Sequence, residues 1–199
     1  MGDLANDSNR VTTDFALLEL DEDPIYLSNN TPSYIPYYLG WDRTGNSVTG
    51  GVGIHHPSGD VKKIATFNQT PMPYGTDYLQ ISWMQTQNGY SVMEPGSSGS
   101  PLINSDHHVI GQLFGGPSIF CEDPAKSYSV YGKFSFSWTG KNGTTDNRRK
   151  LQPWLDTNNT VTILNGISCP TVVNFISQPP VTSYLPEPLE VVAILTFKM

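Results

Sequence analysis

The chain has 199 residues, a net charge of −7, 15% charged residues, 18 glycines and 16 prolines. Its acidity excludes a nucleic-acid backbone as partner, since that needs a basic face, and no apolar run approaches the ~18 residues of a membrane helix. The length fits one domain, or one domain and part of another, and the wealth of Gly, Pro, Tyr, Thr and Val points to an all-β, loop-rich protein.

Residues 11–20 read as a strand buried on most of its surface, with Phe15 and Leu17 in the apolar run and Asp14 at its head. A carboxylate there is either a strand-edge residue or a buried group that orients a histidine. Asp21-Glu22-Asp23-Pro24 ends the strand with charge and a proline. Residues 33–39 are aromatic and extended, and they close at the turn Gly40-Trp41-Asp42-Arg43-Thr44-Gly45. Residues 47–56 are Gly-rich and β-prone, and His55-His56-Pro57-Ser58-Gly59-Asp60 turns the chain again. The paired histidines have no third ligand at a useful spacing, so a structural role is expected for them rather than a metal site.

Residues 61–67 and 78–83 are further strands, separated by a polar loop at 68–77. Then comes Met93-Glu94-Pro95-Gly96-Ser97-Ser98-Gly99-Ser100-Pro101, leading into Leu102-Ile103. Glycines and serines between strands make an ordinary turn. They can also hold a serine hydroxyl at the apex with free backbone N–H groups around it, as acyl transfer requires.

Asn104-Ser105-Asp106-His107-His108 is a hairpin turn, and residues 109–114 form the returning strand. The hairpin carries Gly115-Gly116-Pro117-Ser118 back beside the Gly-Ser loop. After a loop at 119–128 that holds Cys121, Glu122 and Asp123, residues 129–138 read as another strand. Thr145-Asp146-Asn147 offers an N-cap, and Leu151, Trp154 and Leu155 have helical spacing. One short amphipathic helix is expected there, kinked or shortened by Pro153. Residues 160–164 are the last short strand. Residues 1–166 thus form the main domain, and 167–199 read as a Pro-rich linker with the start of a further module.

In order, these blocks resemble the bacterial lysyl endopeptidases of the trypsin/chymotrypsin-like serine proteases. The resemblance rests on Thr13-Asp14-Phe15-Ala16-Leu17-Leu18-Glu19-Leu20, Gly40-Trp41-Asp42-Arg43, Gly53-Ile54-His55-His56-Pro57, the loop from Glu94 to Pro101, Ile110-Gly111-Gln112-Leu113 with Gly115-Gly116-Pro117-Ser118, and Tyr131-Gly132-Lys133-Phe134. It spans residues 13 to about 166 and leaves 1–10 and the tail uncovered. It implies an all-β, chymotrypsin-like double β-barrel fold, of which this chain holds the second barrel, the last strand of an otherwise missing first barrel, and one short C-terminal helix.

The roles implied by the resemblance are specific. Ser98 is the nucleophile, Asp14 orients the catalytic histidine, and the N–H groups of Gly96 and Ser98 form the oxyanion hole. Ser97 stands where most trypsin-like enzymes have an aspartate, as in this subfamily. Gly115, Gly116, Pro117 and Ser118 offer an extended edge to the substrate backbone. The substrate is a protein or peptide, the parent protein is secreted, and no metal or cofactor is implied.

Two features depart from the family. The triad histidine precedes the aspartate in this superfamily, yet all four histidines here follow Asp14. The chain alone is therefore expected to be nearly inactive, its partner being the missing N-terminal barrel of the same parent; the alternative is a non-catalytic, protease-like binding module. The family's pocket aspartate falls on Ser129, and a histidine flanking the pocket falls on Phe114, which removes the basis for lysine preference unless Glu122 or Asp123 turns inward. Cys121 lies near a family cysteine whose partner is in the missing part, so it is either unpaired or joined to Cys169. An orphaned strand at Asp14 is expected to expose apolar surface.

Overall fold

The computed structural model describes residues 2–3, 13–19, 26–27, 31–32, 37–117, 123–168 and 192–194. Ser118, Cys121, Glu122 and Cys169 lie outside the described residues, and with them the disulfide expectation and the inward turn of Glu122.

The strands that position the site are β1 (Phe15–Glu19), β2 (Gly40–Asp42), β3 (Gly51–His55), β4 (Lys63–Phe67), β5 (Met72–Tyr74), β6 (Tyr78–Ser82), β7 (Pro101–Asn104), β8 (His108–Gly115), β9 (Tyr128–Lys133) and β10 (Ile163–Leu164). All except β1 belong to one sheet. Its main path runs β4-β3-β7-β8-β9-β6-β5 with antiparallel pairing throughout, and β2 lies parallel to β8 and carries β10 on its other side. The protein is mostly β, its sheet curled into an antiparallel half-barrel of the chymotrypsin-like kind.

The inner face of the sheet is filled by Ala65, Phe67, Ile81, Trp83, Leu102, Leu113 and Tyr131. These positions alternate along their strands, as a sheet with one buried face requires. A second cluster joins Phe15 and Leu17 of β1 to Trp41, Phe134, Trp138 and Leu151. Burying each large side chain here contributes roughly 1.5–3 kcal/mol. Trp41 adds ring contacts to Phe134 at 6.2 Å and Trp138 at 5.7 Å. The apolar face of β1 is therefore covered, and the exposed strand expected from the sequence is not observed. Val192–Ile194 pairs antiparallel with residues 17–19 of β1.

Two elements and the place of one cap differ from expectation. The polar loop at 68–77 contains β5, which pairs with β6. The strand expected at 129–138 stops at Lys133, and Phe134–Thr139 is a helix, α1. The sequence Phe134-Ser135-Phe136-Ser137-Trp138 alternates like a strand, but burial selects Phe134, Ser137 and Trp138, the i, i+3, i+4 face of a helix. Gly140 ends α1 with φ 70° and its N–H on the Phe136 carbonyl. The C-terminal helix is one turn, α2 (Gln152–Leu155), with Pro153 in that turn, where the missing N–H costs nothing. Asp146 caps not α2 but a 3-10 turn, Asn147–Arg149, by accepting from the Arg148 N–H at 3.0 Å.

Candidate active site

The Gly-Ser loop enters β7, and β7 and β8 fix its position. The Gly99 N–H donates to the Leu113 carbonyl at 2.9 Å, and the Leu113 N–H donates to the Ser100 carbonyl at 2.9 Å. The Ser97 N–H donates to Glu94 O at 3.0 Å, and the Ser100 N–H to Ser97 O at 3.1 Å. The fold thus uses the N–H groups of Ser97, Gly99 and Ser100. Those of Gly96 and Ser98 have no backbone acceptor among the described residues. Gly96 is left-handed at φ 93°, a conformation that L side chains rarely adopt.

Asp14 is buried at the head of β1, also left-handed, at φ 55°. Its neighbour Thr13 is fully buried, and the Thr13 carbonyl accepts from Gln112 Nε2 at 2.9 Å. Thr13 and Ser137 hydroxyls are bonded to each other, and Gln112 Nε2 also reaches Ser137 Oγ at 3.0 Å. Gln112 and Leu113 are adjacent on β8. Asp14 and Ser98 are therefore each one residue away from a bond to the same pair of β8 residues.

Beyond Leu113 the β8–β9 register slips: Leu113 faces Tyr131 and Gly115 faces Val130, leaving Phe114 as an extra residue. Such a bulge re-aims a side chain, and the Phe114 ring packs on Tyr78 at 5.1 Å. Gly115 and Gly116 follow along β9. A Cβ on Gly116 would lie 2.7 Å from Tyr128 O and 3.6 Å from Ser129 Oγ, so the glycine edge lies directly over Ser129. Pro117 ends this described stretch. Ser129 is buried and accepts from Trp83 Nε1 at 2.8 Å, while the Trp83 N–H donates to Ser127 O at 3.0 Å. The Ser127 hydroxyl is buried with no partner among the described residues. The Asp123 side chain is half-exposed and forms a surface ion pair with Lys126 at 2.9 Å, so its inward turn is not observed.

The histidines are placed by different contacts. His56 Nδ1 lies 3.2 Å from Asp60 O, and His108 Nε2 lies 2.9 Å from Asn165 Oδ1. His107 occupies the β7–β8 turn with φ 65°. His55 is different: it is 4% exposed, and its Nδ1 is hydrogen-bonded at 2.9 Å to Ser97 Oγ, itself 1% exposed. Burial holds the His55 imidazole below its usual range; Glu94 opposes this and His56 adds to it. The link from His55 to Ser97 is not apparent in the sequence, where His55 reads as half of a turn. Its signal was periodicity: Gly53 and His55 share the inward face of β3, and a histidine pointing inward needs a partner.

The sequence matches the model of the C-terminal domain of lysyl endopeptidase over residues 3–132. The chain belongs to this family. The match begins ahead of Asp14, so it takes in residues that the resemblance had left uncovered, and it ends within β9 at Gly132. The lysyl endopeptidase of Pseudomonas aeruginosa is 32% identical over 111 residues, which cover 51% of this chain and 22% of that protein. Both the Gly-Ser loop and the Asp14 strand fall inside the family match.

Proposed function

We propose that this chain is the nucleophile-bearing part of a serine endopeptidase, with Ser98 attacking the scissile carbonyl of a protein or peptide substrate. The supporting observation is the division of N–H groups in the Gly-Ser loop, where the fold uses those of Ser97, Gly99 and Ser100 and leaves those of Gly96 and Ser98 without a backbone acceptor among the described residues. Two such donors take the negative charge that develops on the carbonyl oxygen. In this reading Ser98 Oγ bonds to the carbonyl carbon as its proton passes to a histidine. That proton then leaves on the departing amine, and water hydrolyses the acyl-enzyme by the reverse order of transfers. Asp14 holds the histidine in its tautomer. The histidine itself comes from another segment of the parent protein, which we place outside the cell on the resemblance. Gly115, Gly116, Pro117 and Ser118 carry the substrate backbone, and Phe114 and Ser129 border the side-chain pocket.

A second reading is a protease-like binding module with no catalysis of its own. It is favoured by the engagement of His55, His56 and His108 with Ser97, Asp60 and Asn165. Fluorophosphonate labelling with and without added imidazole separates the two. The protease reading expects modification at Ser98, faster with imidazole and lost in Ser98→Ala. Labelling spread over surface hydroxyls and indifferent to Ser98→Ala supports the binding module. Without its base a related triad loses on the order of 10⁶ in turnover, so full ester hydrolysis by the chain alone would overturn the assignment of the base to another segment.

A further inference from the structure

We propose that the corner from His55 to Ser58 aims the oxyanion hole, with His55 as a positioning residue that acts through Ser97. This rests on the protease reading of the Gly-Ser loop and extends it to a residue outside that loop.

A trans peptide unit is planar, and its C=O and N–H point in opposite directions. Fixing one carbonyl therefore aims the N–H across the same plane. The Gly96 N–H shares its plane with Pro95 O, and Pro95 O accepts from the Ser58 N–H at 2.7 Å. The Ser98 N–H shares its plane with Ser97 O, which accepts from the Ser100 N–H at 3.1 Å. Each free donor is thus aimed by a hydrogen bond on the opposite edge of its own peptide.

The corner grips the loop at three points. Ser58 holds Pro95 O. His55 Nδ1 holds Ser97 Oγ at 2.9 Å, which fixes the one side chain between the two donors. Between these contacts the His56 carbonyl comes so near that a Cβ on Gly96 would lie 3.2 Å from it. An unpaired hydroxyl or imidazole at this depth is costly, so the His55–Ser97 bond is not readily exchanged for another arrangement.

Backbone strain points the same way. Ser58 has φ 50° and Gly59 φ 75°, so two successive residues are left-handed where the corner meets the loop. A serine in that region is held there by its surroundings, and such strain gathers at working sites. Here it presents the Ser58 N–H to Pro95 O.

The test combines two readouts on the full chain: the rate of fluorophosphonate labelling at Ser98, with Ser98→Ala as blank, and the amide ¹⁵N and ¹H resonances of Gly96 and Ser98. His55→Leu and Ser97→Ala remove the bond from opposite sides. Both are expected to shift the two amide resonances and slow labelling about tenfold or more, while the near-ultraviolet signal of the buried tryptophans is kept. His55→Asn, which places a hydrogen-bonding group where Nδ1 lies, is expected to restore most of both. If His55→Leu does not fold, Ser97→Ala carries the test alone. Unmoved amides with an unchanged labelling rate in Ser97→Ala would overturn the inference. If the unaltered chain is not labelled at Ser98 at all, the protease reading fails, and the amide resonances still decide whether the corner sets the loop.

Discussion

Gln112 joins Thr13 to β8, the strand to which the Gly-Ser loop is hydrogen-bonded: its Nε2 lies 2.9 Å from the Thr13 carbonyl, and the next residue, Leu113, accepts from Gly99. One buried amide thus couples the placement of Asp14 to the placement of Ser98. Gln112→Leu removes the donor and leaves the Thr13 carbonyl buried without it. The expected cost is about 1–3 kcal/mol, seen as a lower urea midpoint and faster amide exchange along Phe15–Glu19. Unchanged exchange in that strand would show that the apolar face of β1 suffices to hold it.

Gly132 tests the same junction from β9. A Cβ there would fall inside contact distance of the Thr13 carbonyl oxygen and 2.7 Å from Gln112 Nε2. The Thr13 oxygen is backbone, and the Gln112 amide is tied to it and to Ser137, so either the backbone shifts or these bonds break. Gly132→Ala is expected to cost roughly 1–3 kcal/mol by overpacking and to displace Asp14. A calorimetric melting temperature within a degree of the original would rule this out.

Local signals made much of this arrangement legible in the sequence. The strands at Gly51–His55, Tyr78–Ser82 and His108–Gly115 follow from periodicity and punctuation, and the hairpin that returns Gly115 to the loop follows from its turn residues. What stayed hidden depended on tertiary context. Phe134-Ser135-Phe136-Ser137-Trp138 satisfies a strand pattern until Trp41 and Leu151 select its helical face. The apolar run at Phe15 and Leu17 implies burial, but the residues that cover it come from that same cluster. His55 and Ser97 are 42 positions apart, and neither reports on the other until β3 and the Gly-Ser loop meet.

Stability should fall on both sides of neutrality for separate reasons. His55 has its folded-state value below the ordinary 6.5, so the unfolded chain binds that proton more readily. Its contribution is complete above about pH 6.5 and is lost as pH falls below it. Asp146, held at about 2 chiefly by its hydrogen bonds to Arg148, titrates well below this window. Tyr131 is the opposite case. Burial pushes its phenol above the ordinary 10.0, partly offset by the Ser100 hydroxyl, which it faces without the geometry of a full hydrogen bond. Its contribution is complete below about pH 10 and is lost as pH rises. Melting temperatures across pH 5–11 should show both slopes, with His55→Asn flattening the acid limb and Tyr131→Phe the alkaline one.

The side-chain pocket proposed at Ser129 offers the sharpest test of specificity. Ser129 lies under Gly116 and accepts from Trp83 Nε1, so the group at this position is a neutral hydroxyl. A lysine side chain entering beside it would leave water without an opposite charge, at a cost that burial makes severe. The chain should therefore show no preference for a lysine-bearing phosphonate over one with an uncharged side chain of similar length. Ser129→Asp places a carboxylate there with the Trp83 N–H as one ready donor. It should turn the ratio of Ser98 labelling rates toward the lysine probe by roughly tenfold or more, about 1.4 kcal/mol. The same carboxylate should lower stability when no probe is bound, since it is buried without a cation. Equal labelling by both probes in Ser129→Asp would place the side-chain pocket elsewhere. A lysine preference in the unaltered chain would mean that another acidic group supplies the charge.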